Sequence, residues 1–405
     1  MISVMCGTGI LRVALLVACT AQAAVSQAPP RRPRLARDAD TNDAVAYYRH
    51  AIERIRRVPR EAANGLYWAE RLDPGSAPTI YARHVTALLT NPSLIVGYIH
   101  RESDVLRRPE IRQADSILQR ALWIDPFLHR GLEEVVLIEY ARRVLPRDLW
   151  LLRREPLDDE VAHEMRRYFA DADPFLAGRS AYGRADYRLA LAYYATALQG
   201  NRNQERIHYE RALAYYQLRR LDSAAIALRE ALREVRRAPA ALRPVYESVA
   251  QWEYALGHLY ELQGQTAAAR DAFTRALDED VRLYPAALRL AVLELAAGDT
   301  ASALNRLTSV AATHDVYPVR LFLGALYSRI GRRDSAVTHL RRAAELEPWA
   351  TAPWLAMGLA LEAARDTTGA IAAYERFLAL TRLSDPEALT IQHRLTGLRT
   401  GSGRQ

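Results

Sequence analysis

The chain has 405 residues, half of them hydrophobic and a quarter charged, with a formal net charge of +8. That composition excludes a disordered chain and is enough for two or three ordinary domains or one long array. The cationic side chains are all arginine and mostly alternate with acids, as in Arg229-Glu230 and Arg233-Glu234. This is the pattern of solvated helix faces, not of the clustered basic stripe that a nucleic-acid interface needs.

In chain order, Arg12 precedes the apolar run Val13 to Ala18, and Ala21-Gln22-Ala23 follows in an A-x-A pattern. Residues 1–23 therefore read as a secretory signal peptide. The run is too short to span a bilayer, and no later stretch approaches the roughly 20 apolar residues a span needs. Both cysteines, Cys6 and Cys19, lie in this segment. Cleavage after Ala23 leaves a thiol-free chain of charge +7, without disulfides or cysteine metal sites. Leu16-Val17-Ala18-Cys19 also resembles a bacterial lipobox, which makes Cys19 a candidate for lipidation, although Arg12 sits close to it. The expected location is the periplasm or the medium, either free or held at a membrane as a lipoprotein. Residues 24–40, rich in Pro and Arg, read as a disordered linker, with Arg31, Arg32, Arg34 and Arg37 in a flexible spacer.

The informative feature is a repeat. A small residue, a large one four later and a third residue three beyond recur as Ala190, Tyr194, Ala197; Ala224, Leu228, Ala231; Ala269, Phe273, Ala276. The series continues with Ala303, Leu307, Val310; Ala336, Leu340, Ala343; and Ala370, Tyr374, Phe377. Successive starts are 34, 45, 34, 33 and 34 residues apart. The helical spacing puts each triplet on one face, and a single hairpin cannot bury that face alone. Gly264, Gly298 and Gly331 fall where the turn between two helices needs them. The interval of 45 implies an insertion of about eleven residues around Arg233 to Pro244, read as a lengthened second helix and a longer connection.

Upstream of three of the triplets stand Leu256-Gly257-His258-Leu259-Tyr260, Leu323-Gly324-Ala325-Leu326-Tyr327 and Trp354-Leu355-Ala356-Met357-Gly358, and Pro348 ends a unit. With these residues the chain resembles the tetratricopeptide-repeat proteins from residue 171 to 384. The resemblance implies an all-α solenoid of stacked antiparallel hairpins in a right-handed superhelix, with six units. The unit at 171–204 carries Gly178 and Gly183 in its first helix and is expected to open the regular stack. Residues 41–170 read as degenerate hairpins or a separate helical domain. Ala62, Leu66, Ala69, Pro74 and Ala114, Leu118, Ala121, Pro126 mark two second helices ending in Asp-Pro, and two more helices are expected over 128–145 and 158–171 around Pro146. A capping helix over 385–398 and a disordered tail over 399–405 complete the chain.

Catalytic motifs are weak. His163-Glu164-Met165-Arg166-Arg167 begins like a zinc-binding HExxH, but Arg167 replaces the second histidine. His100, Glu102 and Asp104 do not share a helix face. Asp278-Glu279-Asp280 reads as solvated surface. There is no G-x-S-x-G, Walker A loop or dinucleotide-binding turn. The expectation is a non-catalytic protein without cofactor or metal.

In such arrays the first helices line a concave groove for a peptide or helix of a protein partner. The resemblance assigns to it Arg206, Tyr209, Tyr216, Gln251, Tyr254, His258, Glu261, Arg329, Leu355, Leu359 and Glu362. The Lys/Asn carboxylate clamp of chaperone-type members is absent, its places holding Tyr, Leu, His, Val and Ala. The expected function is an interaction scaffold of the cell envelope. The alternatives are an envelope enzyme with a catalytic N-terminal helical region, or a lipid-anchored assembly factor.

Overall fold

The computed structural model describes residues 29–37, 39–100, 107–144, 159–200, 204–237, 247–382 and 384–401. The expected signal segment with Cys6 and Cys19, Pro146, the region 238–246 inside the insertion and the last four residues lie outside them. Every regular element among the described residues is helical. The first hairpin joins α1 (Ala44–Ile52) to α2 (Pro59–Leu72). α3 (Ala77–Thr90) runs through a 3₁₀ turn (Pro92–Leu94) into α4 (Ile95–His100) and packs on α5 (Pro109–Ile124). α6 (Glu133–Val144) and α7 (Asp159–Ala172) lead into the regular stack.

That stack has six hairpins. They are α8 (Pro174–Gly183) with α9 (Tyr187–Ala197), α10 (Gln204–Gln217) with α11 (Leu221–Arg237), and α12 (Val249–Leu262) with α13 (Thr266–Glu279). Next come α14 (Tyr284–Ala296) with α15 (Thr300–Thr313), α16 (Tyr317–Arg329) with α17 (Arg333–Leu346), and α18 (Ala352–Ala363) with α19 (Thr367–Leu380). α20 (Pro386–Gly401) packs against α19 at the C-terminal end. The all-α solenoid expected from the repeat is the observed fold. α11, at 17 residues, is the longest second helix, on the edge of the insertion.

Two local constraints set the hairpin geometry. The first is the turn. Each of the six has one residue in the left-handed region, at Ala185, Arg219, Gly264, Gly298, Gly331 and Arg365. Each lets the following N–H reach back to a carbonyl five residues earlier, as in Asp186 to Ala181, Gln265 to Tyr260 and Arg332 to Tyr327. This Schellman-type closure satisfies carbonyls that the helix end leaves open. Asp186, Asp299 and Asp366 then cap the second helix by accepting from Leu189, Ser302 and Gly369 N–H.

The second constraint is a close approach. The large residue of each triplet is fully buried, from Tyr194 to Tyr374. In four hairpins it presses on a glycine sixteen residues earlier: Gly178 under Tyr194, Gly257 under Phe273, Gly324 under Leu340 and Gly358 under Tyr374. A Cβ on Gly257 would stand 2.5 Å from the Phe273 ring. The glycine that weakens α8 as an isolated helix is thus the one its partner helix requires.

Gly257→Ala should therefore lower stability by about 1–3 kcal/mol through overpacking. Gly397 in α20 has nothing near a would-be Cβ, and Gly397→Ala should raise stability by up to about 1 kcal/mol through helix propensity. Urea midpoints of the two variants check this; a neutral Gly257→Ala would contradict the packing argument.

Candidate functional site

The first helices of the stack line its concave side, and the N-terminal helices lie inside that curve. Segment 122–128, the end of α5 and the turn after it, runs along α10 and α12. Leu122 and Trp123 are in the last turn of α5, where carbonyls lack intrahelical partners. Gln251 Nε2 donates to Leu122 O at 3.3 Å and the Tyr254 hydroxyl to Trp123 O at 2.9 Å. Asp125 accepts from Phe127 N at 2.9 Å and bends the chain. Gln217 Nε2 donates to Phe127 O at 2.8 Å, and the Phe127 ring stacks on Tyr216 at 4.3 Å and faces His258 at 6.3 Å. Glutamine, tyrosine and histidine side chains thus hold a main chain and one aromatic anchor, and the ligand is the protein itself.

The residues assigned to the groove from the repeat divide accordingly. Arg206 and Tyr209 are buried within the stack, because Arg206 pairs with Glu247 at 2.9 Å and Tyr209 stacks on Trp252 at 4.9 Å. Tyr216, Gln251, Tyr254 and His258 meet on segment 122–128. Glu261 lies 3.8 Å from His258 and 3.7 Å from Arg289. Glu362 accepts from Tyr374 and, at 3.0 Å, from Arg394 of α20. Arg329 and Leu359 are exposed and Leu355 is half-buried. No single open groove unites the eleven.

The curve is also bridged between its ends. Trp68 of α2 meets Trp349, in the turn before α18, edge-on at 5.3 Å. Arg71 pairs with Glu347 at 2.6 Å, and Asn42 donates to Ala379 O at 3.0 Å. Residues 29–37, expected as part of a flexible linker, lie along this bridge. Pro30 O accepts from the Trp68 indole at 2.8 Å, and the Arg32 guanidinium sits over Trp68 at 4.4 Å and Trp349 at 5.2 Å. Stacking on two indoles anchors a segment that composition alone reads as loose.

Between the bridge and segment 122–128 a chamber of about 900 Å³ stays open. One wall is α2, α3 and the end of α5; the other is α14, α16 and the turn into α18. Tyr284, Leu288, Tyr317, Leu321 and Phe322 face it, with Trp123 and Ile124 opposite. Tyr284 and Tyr317 occupy the same face as Tyr254 and were legible by that register. Burial lifts both phenols to about 12, helped at Tyr317 by Glu347. Three of the four carboxylates at the chamber are paired with arginine: Glu70 with Arg83 and Arg120, Glu347 with Arg71, Asp315 with Arg320 and Arg342; the fourth, Asp73, accepts from Gly75 N–H at 3.1 Å. Burial alone would raise the Glu70 pKa, but the two arginines outweigh it and hold it below the ordinary glutamate value.

Among the described residues of 44–124, α1 packs on α2 and α3 on α5, and a recess of about 640 Å³ beside them is edged by Asn64, Arg83, Thr86, Asn91, Glu110 and Gln113. Among the described residues, no three of His, Cys, Asp and Glu gather as a metal site, and no helix is long and apolar enough to cross a membrane. His163 is exposed. Glu102 and Asp104 lie outside the described residues.

Models of the tetratricopeptide repeat match residues 175–241 and 321–385, and a second such model matches 254–280. No curated protein matches the chain. Among solved structures it is similar to the C-terminal part of a tetratricopeptide repeat-containing protein from Cytophaga hutchinsonii, at 18% identity and a TM-score of 0.42 over 51% of this chain and 78% of that one. It is similar to YrrB, described as a tetratricopeptide-repeat protein with an unusual peptide-binding site, at 16% identity and 0.37 over 50% and 96%. The Cut9–Hcn1 assembly aligns at 12% identity and 0.38 over 90% and 85%.

The Glu70 bridge gives a pH signature. Its folded pKa is depressed, so its stabilisation is complete above the ordinary glutamate range and is lost as pH falls through the depressed value. Glu70→Gln should cost about 1–3 kcal/mol near neutrality, since two part-buried arginines lose their carboxylate. The gap between wild type and variant should shrink toward acid. Urea unfolding of both proteins across that range checks it; a gap constant with pH would remove the charge from the explanation.

Proposed function

We propose, from the premise that this is a tetratricopeptide-repeat protein, that it is an exported interaction scaffold of the cell envelope. In this reading it holds an apolar segment of a protein partner in the chamber between α2–α5 and α14–α18. The observation that carries the reading is the chamber's chemistry. Its aromatic and aliphatic walls are unfilled, and three of its four carboxylates are already paired with arginine, so it offers mainly burial for apolar side chains. Tyrosine and phenylalanine supply rigid contact area of the kind that dominates interfaces.

Segment 122–128 is the pattern for how the wall grips a chain. Side-chain donors take main-chain carbonyls, and one ring inserts between others. One repeat further along, the places of Gln251 and Tyr254 hold Pro285 and Leu288, so there the wall offers a partner segment apolar contact beside the Tyr284 and Tyr317 rings. Export rests on the Arg12 to Ala23 signal pattern; whether the mature chain starts after Ala23 or at a lipidated Cys19 is read from the mass of its N-terminal peptide.

A photo-crosslinking side chain at Leu321, inside the chamber, should yield a discrete adduct with a partner protein in envelope extract. The same group at Ile226, exposed on α11, should not. Phe322→Arg should abolish the Leu321 adduct while the variant keeps its helical circular dichroism. Equal labelling at both positions, or an adduct indifferent to Phe322→Arg, would sink the chamber as the binding site.

A further inference from the structure

Residues 174–380 spread a surplus of +4, 26 arginines against 22 carboxylates, over the whole stack, and the N-terminal end concentrates the same surplus in 31 residues. Residues 31–61 hold nine arginines and five carboxylates, a surplus of +4 out of the whole chain's +8. Arg31, Arg34, Arg49, Arg56, Arg57 and Arg60 are exposed. Among the described residues none of these six makes an ion pair, and Glu53, also exposed, pairs only with Arg54 at 3.4 Å. Exposed arginines without an ion pair also occur on the stack, as at Arg229, Arg270 and Arg332, but there they are spread over many helices, whereas these six fall on one strap and one hairpin.

The strap over the bridge gives this surplus a fixed shape. Arg32 turns inward onto Trp68 and Trp349, and its Nη1 donates to Thr41 O at 2.9 Å. Arg31 and Arg34 on either side are thereby turned outward. Together with His50 and Arg54 of the first hairpin they edge a recess of about 370 Å³ in which Glu61 is the single carboxylate. Such a recess admits one phosphate-bearing headgroup, and the remaining exposed arginines lie on the same hairpin and strap.

We propose that this N-terminal end docks on an anionic membrane surface, with a lipid phosphate entering the recess between the strap and the first hairpin. Two features favour lipid over nucleic acid. A single strand needs exposed aromatic platforms for its bases, whereas Tyr47 is buried, Tyr48 is half-buried and the two indoles are covered by Arg32. The strap also begins ten residues after Cys19, a reach of about 35 Å at most. Where an acyl chain is carried there, this is the end of the solenoid held against the bilayer, and one chain plus a basic patch makes the stable anchor that one chain alone does not.

The test uses the protein purified with Cys19→Ser, so that no acyl chain contributes, sedimented with vesicles of phosphatidylcholine alone or with phosphatidylglycerol added. Binding should require phosphatidylglycerol and weaken with salt, because the attraction falls off within a Debye length. Arg31→Glu, Arg34→Glu and Arg56→Glu together should weaken it on the order of a hundredfold, from the usual contribution per surface arginine. A control triple on the stack, Arg229→Glu, Arg270→Glu and Arg332→Glu, removes the same charge and should leave most of the binding. Circular dichroism verifies that both triples are folded. Equal losses in the two triples, equal binding to both vesicle types, or binding to duplex DNA that depends on the N-terminal arginines without any to vesicles would each overturn the proposal.

Discussion

The structure depends on how closely two helices of one hairpin can approach. In four of the six hairpins a glycine on the first helix accepts the ring or isobutyl group of a residue sixteen positions later, in a space that a methyl group would already fill, and in the other two Ala212 and Ala291 hold that place. That contact fixes the distance between the helices, and the left-handed residue in each turn fixes their angle. With both fixed, successive hairpins stack at nearly the same offset and the array must curve. The concave side, and everything held in it, follows from this repeated approach.

The local part of this was legible in the sequence because it is local. The triplets Ala269, Phe273, Ala276 and their counterparts encode which face of a second helix is buried, and the 34-residue spacing encodes the stacking. The groove was legible only as a register. The period says that Tyr254 faces the concave side; it says nothing of what lies 131 residues earlier. The bond from Tyr254 to Trp123 O and the stack of Tyr216 on Phe127 are long-range contacts between a repeat and a segment with no period, and no local pattern announces them. Arg206 shows the same limit from the other side. Its position predicts an exposed groove charge, but Glu247, across the insertion, takes it into the interior.

The junction between the irregular N-terminal helices and the stack is held by buried charge. Arg130 pairs with Glu210 and Arg179 with Glu133 across the junction, and Arg206 pairs with Glu247 beside them within the stack, all nearly without solvent exposure. Burial would push the Glu133 carboxyl up, but Arg179, Arg130 and Arg206 hold it below its ordinary value, so it stays ionised. Pairs of this kind add little net stability, because desolvation offsets most of the attraction. Separating them, however, leaves a bare buried ion, at a cost of about 3–5 kcal/mol. Apolar helix faces could slide by a turn at modest cost; these pairs cannot. They index Arg130 and α6 against α8 and α10, and so set where segment 122–128 enters the concave side.

That indexing decides which part of the concave surface remains available. The stretch along α10 and α12 is filled by residues that also complete the hydrophobic core, with Phe127 fully buried. Displacing them would undo the packing of α5 and expose its last carbonyls again, so this stretch is structural although its side chains are those of a peptide grip. The bridge of Trp68, Trp349 and Arg32 occupies the far end. Among the described residues, the wall formed by α14, α16 and the turn into α18 faces a chamber of about 900 Å³. A generic repeat groove would be read by an extended segment along its whole length. Here the chain's own N-terminal helices occupy the stretch along α10 and α12, and the apolar compartment at α14 and α16 takes its shape from what they leave unfilled.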